Sequence, residues 1–306
     1  MLKKDVLIAI ILNIVWGSSF TFAGYAILFY APIFLYSLRF LSTGAITVWF
    51  NKVPKNVLPL IVLLGTFQAI DFFGIAMGVK HIDSSTTAIL TRLDVPFTII
   101  LGVLFFKEKM TLKTAIGLFI CFLAVYIISG GLELSHMKYI FLMMFSSFCS
   151  GCANIVAKKI KGINNKTIVS WASLVMGIEL LLLSLLAEKQ LIIKPLNTLA
   201  VLDVVYLGII SSYLTYLVLY YLLRKYQTSQ IMPYNFLRPI VSIIFGFIVL
   251  SEPITSNKVL GVIFILSGVY LSQYHYNKQN PMVKMIRRTK YMIIKRQHHV
   301  EYRGER

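Results

Sequence analysis

Long apolar stretches separated by short polar connections dominate the chain. Ten of these stretches hold about twenty residues each, enough for a helix to cross a hydrocarbon core of roughly 30 Å. Because a helix satisfies its own backbone hydrogen bonds in lipid, the pattern predicts an all-α integral membrane protein with ten transmembrane helices. The predicted spans are 5–26, 31–50, 57–79, 84–106, 112–130, 138–158, 167–187, 198–222, 229–250 and 255–274.

Lysine and arginine are distributed unevenly over the connections between these spans. With the N-terminus inside, thirteen of them fall in inner connections before the C-terminal tail and five in outer connections. The tail adds nine more on the inner side. Inner loops of membrane proteins carry the excess of positive charge. We therefore expect a multi-pass protein of the bacterial cytoplasmic (inner) membrane with both termini cytoplasmic.

The second half of the chain repeats the first with a shift of 144 residues. This shift aligns Gly102 with Gly246, Glu108 with Glu252, and Tyr126 with Tyr270. The predicted units are a first five-helix repeat over 1–130, a second over 138–274, and a basic cytoplasmic tail over 275–306. Since five spans are an odd number, the second unit must enter the membrane from the opposite side. Inverted repeats of this kind build transporters whose substrate site lies near the midplane.

Several short motifs resemble one membrane protein family. Trp16-Gly17-Ser18-Ser19-Phe20 resembles the opening W-G-x-x-F of the EamA family in the drug/metabolite transporter (DMT) superfamily, and Leu38-Arg39-Phe40 resembles its L-R-F. The stretch Phe97–Gly102 followed by Lys107-Glu108-Lys109, and Asn154-Ile155 with Ala157-Lys158-Lys159, are similar to later parts of that family. The resemblance covers about residues 5–274. It implies two inverted five-helix halves and the export of small metabolites, often amino acids.

Composition supports a membrane protein and argues against several other classes. Hydrophobic residues make up 58% of the chain and charged residues 14%, with a mean hydropathy of +0.77. A soluble fold of 306 residues could not bury so much apolar surface. The net charge of +18 lies in loops and tail, so it indicates topology rather than binding to nucleic acid.

Six charged residues inside the predicted spans are singled out as candidates, because lipid would oppose them there. An unpaired charge at the bilayer centre costs at least roughly 2.5–3.5 kcal/mol. These side chains must therefore face one another or a wet cavity, and the repeat predicts that Asp94 and Arg238 pair across it. The six are Arg39, Asp71, Arg92, Asp94, Glu179 and Arg238.

Polar and aromatic residues within the spans extend this predicted substrate pathway. Tyr213 and Tyr216 are spaced for one helical face and suit an amphipathic ligand. The uncharged candidates are Asn13, Trp16, Asn154, Tyr213, Tyr216 and Asn235. Among the carboxylates, Glu179 has no arginine on its own helix, so it is predicted as a site of proton coupling. Its alternative role is a hydrogen-bonded glutamate within the bundle.

Motifs of enzymes and nucleotide-driven pumps are missing from the sequence. It contains no H-E-x-x-H, P-loop or G-x-S-x-G, and its histidines have no metal-binding spacing within a span. We therefore predict no enzyme activity, metal or cofactor, and transport driven by an ion gradient, by exchange or by the substrate's own gradient. Lys278–Arg306 carries nine basic residues against two glutamates, which favours contact with anionic lipid or a disordered basic tail.

These observations together predict a secondary transporter that moves small metabolites, amino acids or related compounds, outward by alternating access. One alternative is an importer or exchanger of the same fold that takes a nucleotide-like metabolite. A membrane scaffold or sensor that transports nothing belongs to a different class. The charges within the spans argue against a scaffold, which has no need to bear their insertion cost.

Overall fold

The computed structural model describes residues 2–49, 53–106, 110–129, 134–160, 162–195, 197–225, 234–235 and 237–279. Over these residues the chain is helical, and its only paired extended backbone is an isolated antiparallel bridge between Tyr30 and Ile192. The helices are α1 Lys3–Ala26, α2 Pro32–Val48, α3 Leu58–His81, α4 Ser84–Leu90, α5 Asp94–Phe106, α6 Leu112–Ser129, α7 Met137–Lys159, α8 Asn165–Ala187, α9 Thr198–Val205, α10 Thr215–Lys225, α11 Leu237–Leu250 and α12 Ser256–Gln279.

The predicted spans coincide with helical segments, but four of them differ in form. The fourth is broken, because a 3₁₀ turn over Thr91–Leu93 joins α4 to α5. The eighth contains a π-helical segment, Tyr206–Leu214, between α9 and α10. The ninth is described as a helix only from Leu237, and the tenth continues to Gln279, past the predicted boundary at 274. The remaining tail residues, 280–306, lie outside the described residues.

Six helical segments are long and apolar enough to cross a membrane, and three shorter apolar helices accompany them. Large hydrophobic side chains that face outward from the bundle, such as Phe119, Phe141 and Leu186, are 69%, 69% and 87% exposed. Lipid would cover such side chains in a membrane protein. The architecture is therefore an all-helical membrane fold, and the count of ten crossings stays a prediction.

Helices of the two halves pack in pairs that follow the sequence repeat. α2 packs along α8 and α6 along α12, so the second and fifth predicted spans of each half meet their counterparts. Two glycines allow the α2–α8 approach. A Cβ atom on Gly44 would lie 2.7 Å from the Leu174 Cα, and one on Gly177 would lie 2.7 Å from the Leu41 nitrogen. Small residues of this kind let helix backbones approach closely in membranes.

The two ends of the bundle can be told apart by the helices that begin there. The α3/α8 end holds the starts of α3 and α8, where Ile61 and Ile160 belong to one hydrophobic cluster. The α2/α4 end holds the starts of α2 and α4. Here a Cβ atom on Gly24 would lie 2.7 Å from Leu250 and 3.5 Å from Ser84, which brings the ends of α1 and α11 to the start of α4.

Candidate functional site

A cavity of about 450 Å³ lies between the two halves. Its walls come from α1, α2, α3, α5, α7, α8, α10 and α11, with the turn between α4 and α5. It extends to Ile160 and Asn165 at the α3/α8 end, whereas its lining in the other direction stops at Phe20 and Tyr36, inside the bundle. Small-molecule sites have volumes of roughly 300–1,000 Å³, so the cavity is large enough for a metabolite.

Eight of the twelve predicted pathway residues line this cavity. They are Trp16, Arg39, Asp71, Arg92, Asp94, Asn154, Tyr216 and Arg238. Asn13 and Asn235 do not line the cavity themselves, but both hydrogen-bond to Arg238, which is a lining residue. Tyr213 and Glu179 are not part of its lining. Five of the six charged candidates thus line one cavity, and Glu179 lies outside its lining.

The Arg39 guanidinium is held by neutral groups of the second half. Its Nε donates to the Ser212 Oγ at 2.7 Å, and one Nη donates to the Ser211 Oγ at 3.2 Å. The aromatic rings of Tyr36, Phe40 and Phe72 lie around it, with centroids 5.3–5.8 Å from its Cζ. Cation–π contacts and hydroxyl acceptors together stabilise a cation away from bulk water.

The two serines that hold Arg39 belong to the π-helical segment. π-Helical turns occur often at functional sites, and their wider turn changes which side chains face a neighbouring helix. The Ser212 hydroxyl donates to the Leu207 carbonyl, five residues earlier, at 2.9 Å. The irregular segment therefore brings Ser211 and Ser212 together against α2.

Arg238, on α11, is held in a similar way. Its Nε donates to the Asn13 Oδ1 at 2.8 Å, and one Nη donates to the Asn235 Oδ1 at 3.3 Å. The Arg238 Cζ lies 3.7 Å from the centroid of the Trp16 ring, which places the guanidinium on the ring face. Two asparagines and a tryptophan thus anchor this charge on α11.

Asp94 and Arg238 line the same cavity but are not joined in this structure by an ion pair or hydrogen bond. An ion pair among the described residues joins Lys258 to Asp83, outside the cavity lining. Arg238 is instead held by the neutral side chains of Asn13, Asn235 and Trp16. The predicted Asp94–Arg238 pair stays a prediction for another conformation.

Arg92 and Asp94 lie on either side of the junction between the 3₁₀ turn and α5. Both line the cavity, and the buried Arg92 Nε and Asp94 Oδ1 atoms have no hydrogen-bond partner among the described residues. Asp71, on α3, faces the same space and interacts electrostatically with both of them. The cavity wall thus carries one cationic and one anionic side chain, and each has a buried polar atom without a hydrogen-bond partner among the described residues.

Glu179 lies between α3 and α8. The Thr66 hydroxyl donates to its Oε1 at 2.7 Å. This geometry supplies the carboxyl group with a partner from the neighbouring helix, away from the cavity lining. Its predicted part in proton coupling stays a prediction.

Two carboxylates of the second half bind helix starts of the first at the α2/α4 end. The Glu252 carboxylate accepts from the backbone N–H of Ser84 and Ser85, at 2.8 and 3.1 Å, and from the Ser85 hydroxyl. The Glu188 carboxylate accepts from the N–H of Ile33 and Phe34 at 2.9 and 3.0 Å. Helix starts offer unpaired N–H groups and partial positive charge, which carboxylates satisfy well.

Further contacts close the same end. Lys258 Nζ lies 3.1 Å from the Asp83 Oδ1. The backbone pairs twice between the α1–α2 and α8–α9 connections, since Ala31 N–H donates to the Leu191 carbonyl and Ile193 N–H to the Phe29 carbonyl. Together with Glu188 and Glu252, these contacts fasten the halves to each other at the end that the cavity lining does not reach.

Sequence reasoning missed these end contacts and the serines that hold Arg39. Glu252 carried a signal, because it recurs as Glu108 in the repeat. Asp203 was also overlooked within the eighth span. It is 7% exposed, and its Oδ2 has no hydrogen-bond partner among the described residues. Glu188, Ser211 and Ser212 carried no comparable signal in the sequence.

Comparisons with known proteins agree with this architecture. The model of the EamA-like transporter family matches residues 3–130 and again 137–274. A "Probable amino-acid metabolite efflux pump" of Salmonella typhimurium is 27% identical over 90% of this chain and 97% of its own length. The Escherichia coli protein of the same description is 27% identical over 90% and 96%, and an uncharacterized transporter of Archaeoglobus fulgidus is 28% identical over 88% and 98%.

A solved crystal structure shares the fold, with a TM-score of 0.64 at 12% sequence identity. The similarity covers 90% of this chain and 99% of that one. The two family matches coincide with the two halves whose helices enclose the cavity. The chain belongs to the EamA-like transporter family of the DMT superfamily.

Proposed function

We propose that the protein is a secondary transporter that exports small metabolites, amino acids or related compounds, across the bacterial cytoplasmic membrane. The observation that carries this proposal is the polar cavity between the halves, whose described lining extends toward the α3/α8 end. Efflux pumps for amino-acid metabolites among the relatives support the direction and the substrate class.

Alternating access gives a mechanism for this cavity. In the conformation described, the cavity extends to the α3/α8 end, and cross-half contacts fasten the α2/α4 end. The lysine distribution places the α3/α8 end in the cytoplasm, so a substrate would enter from inside. Release of the Glu188 and Glu252 contacts would then let the halves rock about the cavity and expose it outside.

Transport into everted membrane vesicles tests the proposal directly, because export becomes uptake in that orientation. We expect vesicles that contain the protein to accumulate one or more labelled amino acids above vesicles that lack it. An Arg39→Gln variant, confirmed as folded by size-exclusion chromatography, should reduce the uptake. Uptake only into right-side-out vesicles would indicate import instead. No uptake of any metabolite in either orientation would contradict a transport function.

A further inference from the structure

The five charged residues of the cavity wall differ in whether the protein itself satisfies them. Arg39 is held by two serines, and Arg238 by two asparagines and a tryptophan ring. Asp71 lies beside the Ser150 hydroxyl on α7. The Arg92 Nε and the Asp94 Oδ1, in contrast, are buried atoms with no hydrogen-bond partner among the residues that the structure describes.

A buried polar atom without a hydrogen-bond partner in a native protein needs a physical explanation, even where the rest of its side chain is only half-buried. Buried polar groups are hydrogen-bonded in the great majority of cases, and leaving one unpaired costs free energy. Arg92 and Asp94 cannot satisfy each other, because side chains two residues apart on a helix do not face one another. Both line the cavity, so a ligand held there can supply the missing partners.

A ligand with a single charge can satisfy only one of the two residues, Arg92 or Asp94. An anion would satisfy Arg92 and leave the Asp94 carboxylate unpaired beside a like charge. A cation would satisfy Asp94 and leave Arg92 unpaired. A small molecule that carries a carboxylate and an ammonium group on adjacent atoms provides an acceptor for one and a donor for the other, at no net charge.

Resting on the proposed function, we infer that Arg92 and Asp94 form the head-group site for a zwitterionic substrate, an α-amino acid or a close analogue. The substrate carboxylate accepts hydrogen bonds from the Arg92 guanidinium, and the substrate ammonium donates to the Asp94 carboxylate. The aromatic residues Phe20, Phe72 and Tyr216 line the same cavity and offer an apolar surface to the substrate side chain.

Binding to the purified protein tests this inference separately from transport. The probes are L-phenylalanine, L-phenylalaninamide, which lacks the carboxylate, and N-acetyl-L-phenylalanine, which lacks the ammonium group. In isothermal titration, the parent should bind either analogue at least about tenfold more weakly than L-phenylalanine, because each analogue leaves one charged residue unpaired. Asp94→Asn should abolish the discrimination against the N-acetyl compound, and Arg92→Gln the discrimination against the amide.

A matched control is Asp203→Asn, which also changes a buried carboxylate to an amide but lies outside the cavity lining. It should keep both affinity ratios of the parent. Unchanged ratios in both cavity variants would overturn the inference, while uptake in everted vesicles would still support the proposed function. If neither variant folds, the parent decides alone, and equal binding of the amide or the N-acetyl compound would overturn the head-group site.

Discussion

Two of the three guanidinium groups on the cavity wall, those of Arg39 and Arg238, are positioned by neutral side chains. Arg39 uses its planar fork to reach two neighbouring hydroxyls, and Arg238 reaches two amide oxygens. A lysine keeps the charge but lacks the fork and stacks less well on aromatic rings. The direction of their N–H groups therefore matters as well as their charge. Arg39 links α2 to the π-helical segment, and Arg238 links α11 to α1, so each joins one half to the other.

The Arg39 arrangement predicts coupled effects of substitution. Arg39→Lys should lower the melting temperature in detergent and slow transport, because it loses hydrogen bonds to a charged donor worth about 1.5–3 kcal/mol. The double change Ser211→Ala with Ser212→Ala should have a similar effect in the parent and much less in the Arg39→Lys background. Ser146→Ala, which removes a buried hydroxyl that donates to the Met143 carbonyl, is the additive control.

Glu179 gives a second prediction at the same scale. If this carboxyl group carries the coupled proton, Glu179→Gln should abolish the response of transport to an imposed pH gradient while leaving exchange of labelled for unlabelled substrate. Thr66→Val removes the hydrogen bond to Glu179 but keeps the carboxyl group, so it should retain the response. A parent that ignores the gradient, or a Glu179→Gln protein that follows it equally well, rules out this assignment.

Whole elements are joined at the α2/α4 end by charges at helix starts. The Glu188 carboxylate accepts from N–H groups at the start of α2, and Glu252 accepts from the first two N–H groups of α4. Asp83 caps the next N–H of α4, that of Thr86, so Glu252 adds to a cap from the first half. A helix cap contributes about 0.5–2 kcal/mol. If the halves rock as proposed, two contacts of this size would favour the conformation described over one that opens at this end.

Removal of these caps should therefore open the α2/α4 end. We expect Glu252→Gln and Glu188→Gln each to raise the rate at which an impermeant thiol reagent labels a cysteine at Phe20, by about fivefold or more. The double variant should exceed both. Lys189→Gln changes a neighbouring charge for which no cross-half contact is described, and it should label like the parent. Equal labelling in all variants would show that the caps do not hold this end closed.

The residues that face the cavity were largely predictable from the sequence because charge is rare in apolar helices. Arg39, Asp71, Arg92, Asp94 and Arg238 stand out for that reason, and lipid exposure would be too costly for them. Asn13, Trp16 and Asn235, which contact Arg238, were also among the predicted residues, but the serine partners of Arg39 were not predictable. Serines are common in membrane helices, so Ser211 and Ser212 gave no signal until the π-helical segment placed them against Arg39.

Charged residues in the connections between helices are harder to interpret from the sequence than charged residues within them. Glu188 and Glu252 follow apolar helices, where an acidic residue is ordinary, and only tertiary packing shows that each lies against a helix start of the other half. The break at Thr91–Leu93 comes just before Pro96, which has no N–H donor and whose ring clashes with the carbonyl four residues earlier. The sequence therefore permits a kink in the fourth span, whereas the partners of each side chain depend on packing between distant segments.

At the scale of the whole molecule, orientation in the membrane is the first matter to test. The lysine distribution predicts that the connections at Lys55 and Lys161 lie inside and those at Lys138 and Lys194 outside. Single cysteines at these positions, in a cysteine-free background, should react with an impermeant reagent in intact cells only at 138 and 194. Labelling of position 161 from outside would contradict the inverted topology.

The charges of the cavity wall also connect the protein to the membrane voltage. Three arginines and two aspartates line the cavity, so its wall has a formal net charge of +1 when all five side chains are ionised. Opening at the α2/α4 end would transfer this charge to the outer potential, at a cost of about 2.3 kcal/mol per 100 mV when the cell interior is negative. A zwitterion adds no charge to this step, so its export should slow on hyperpolarisation and quicken on depolarisation, as imposed potassium diffusion potentials can measure. A carrier of anions would lose that dependence, because its cargo would cancel the charge of the wall.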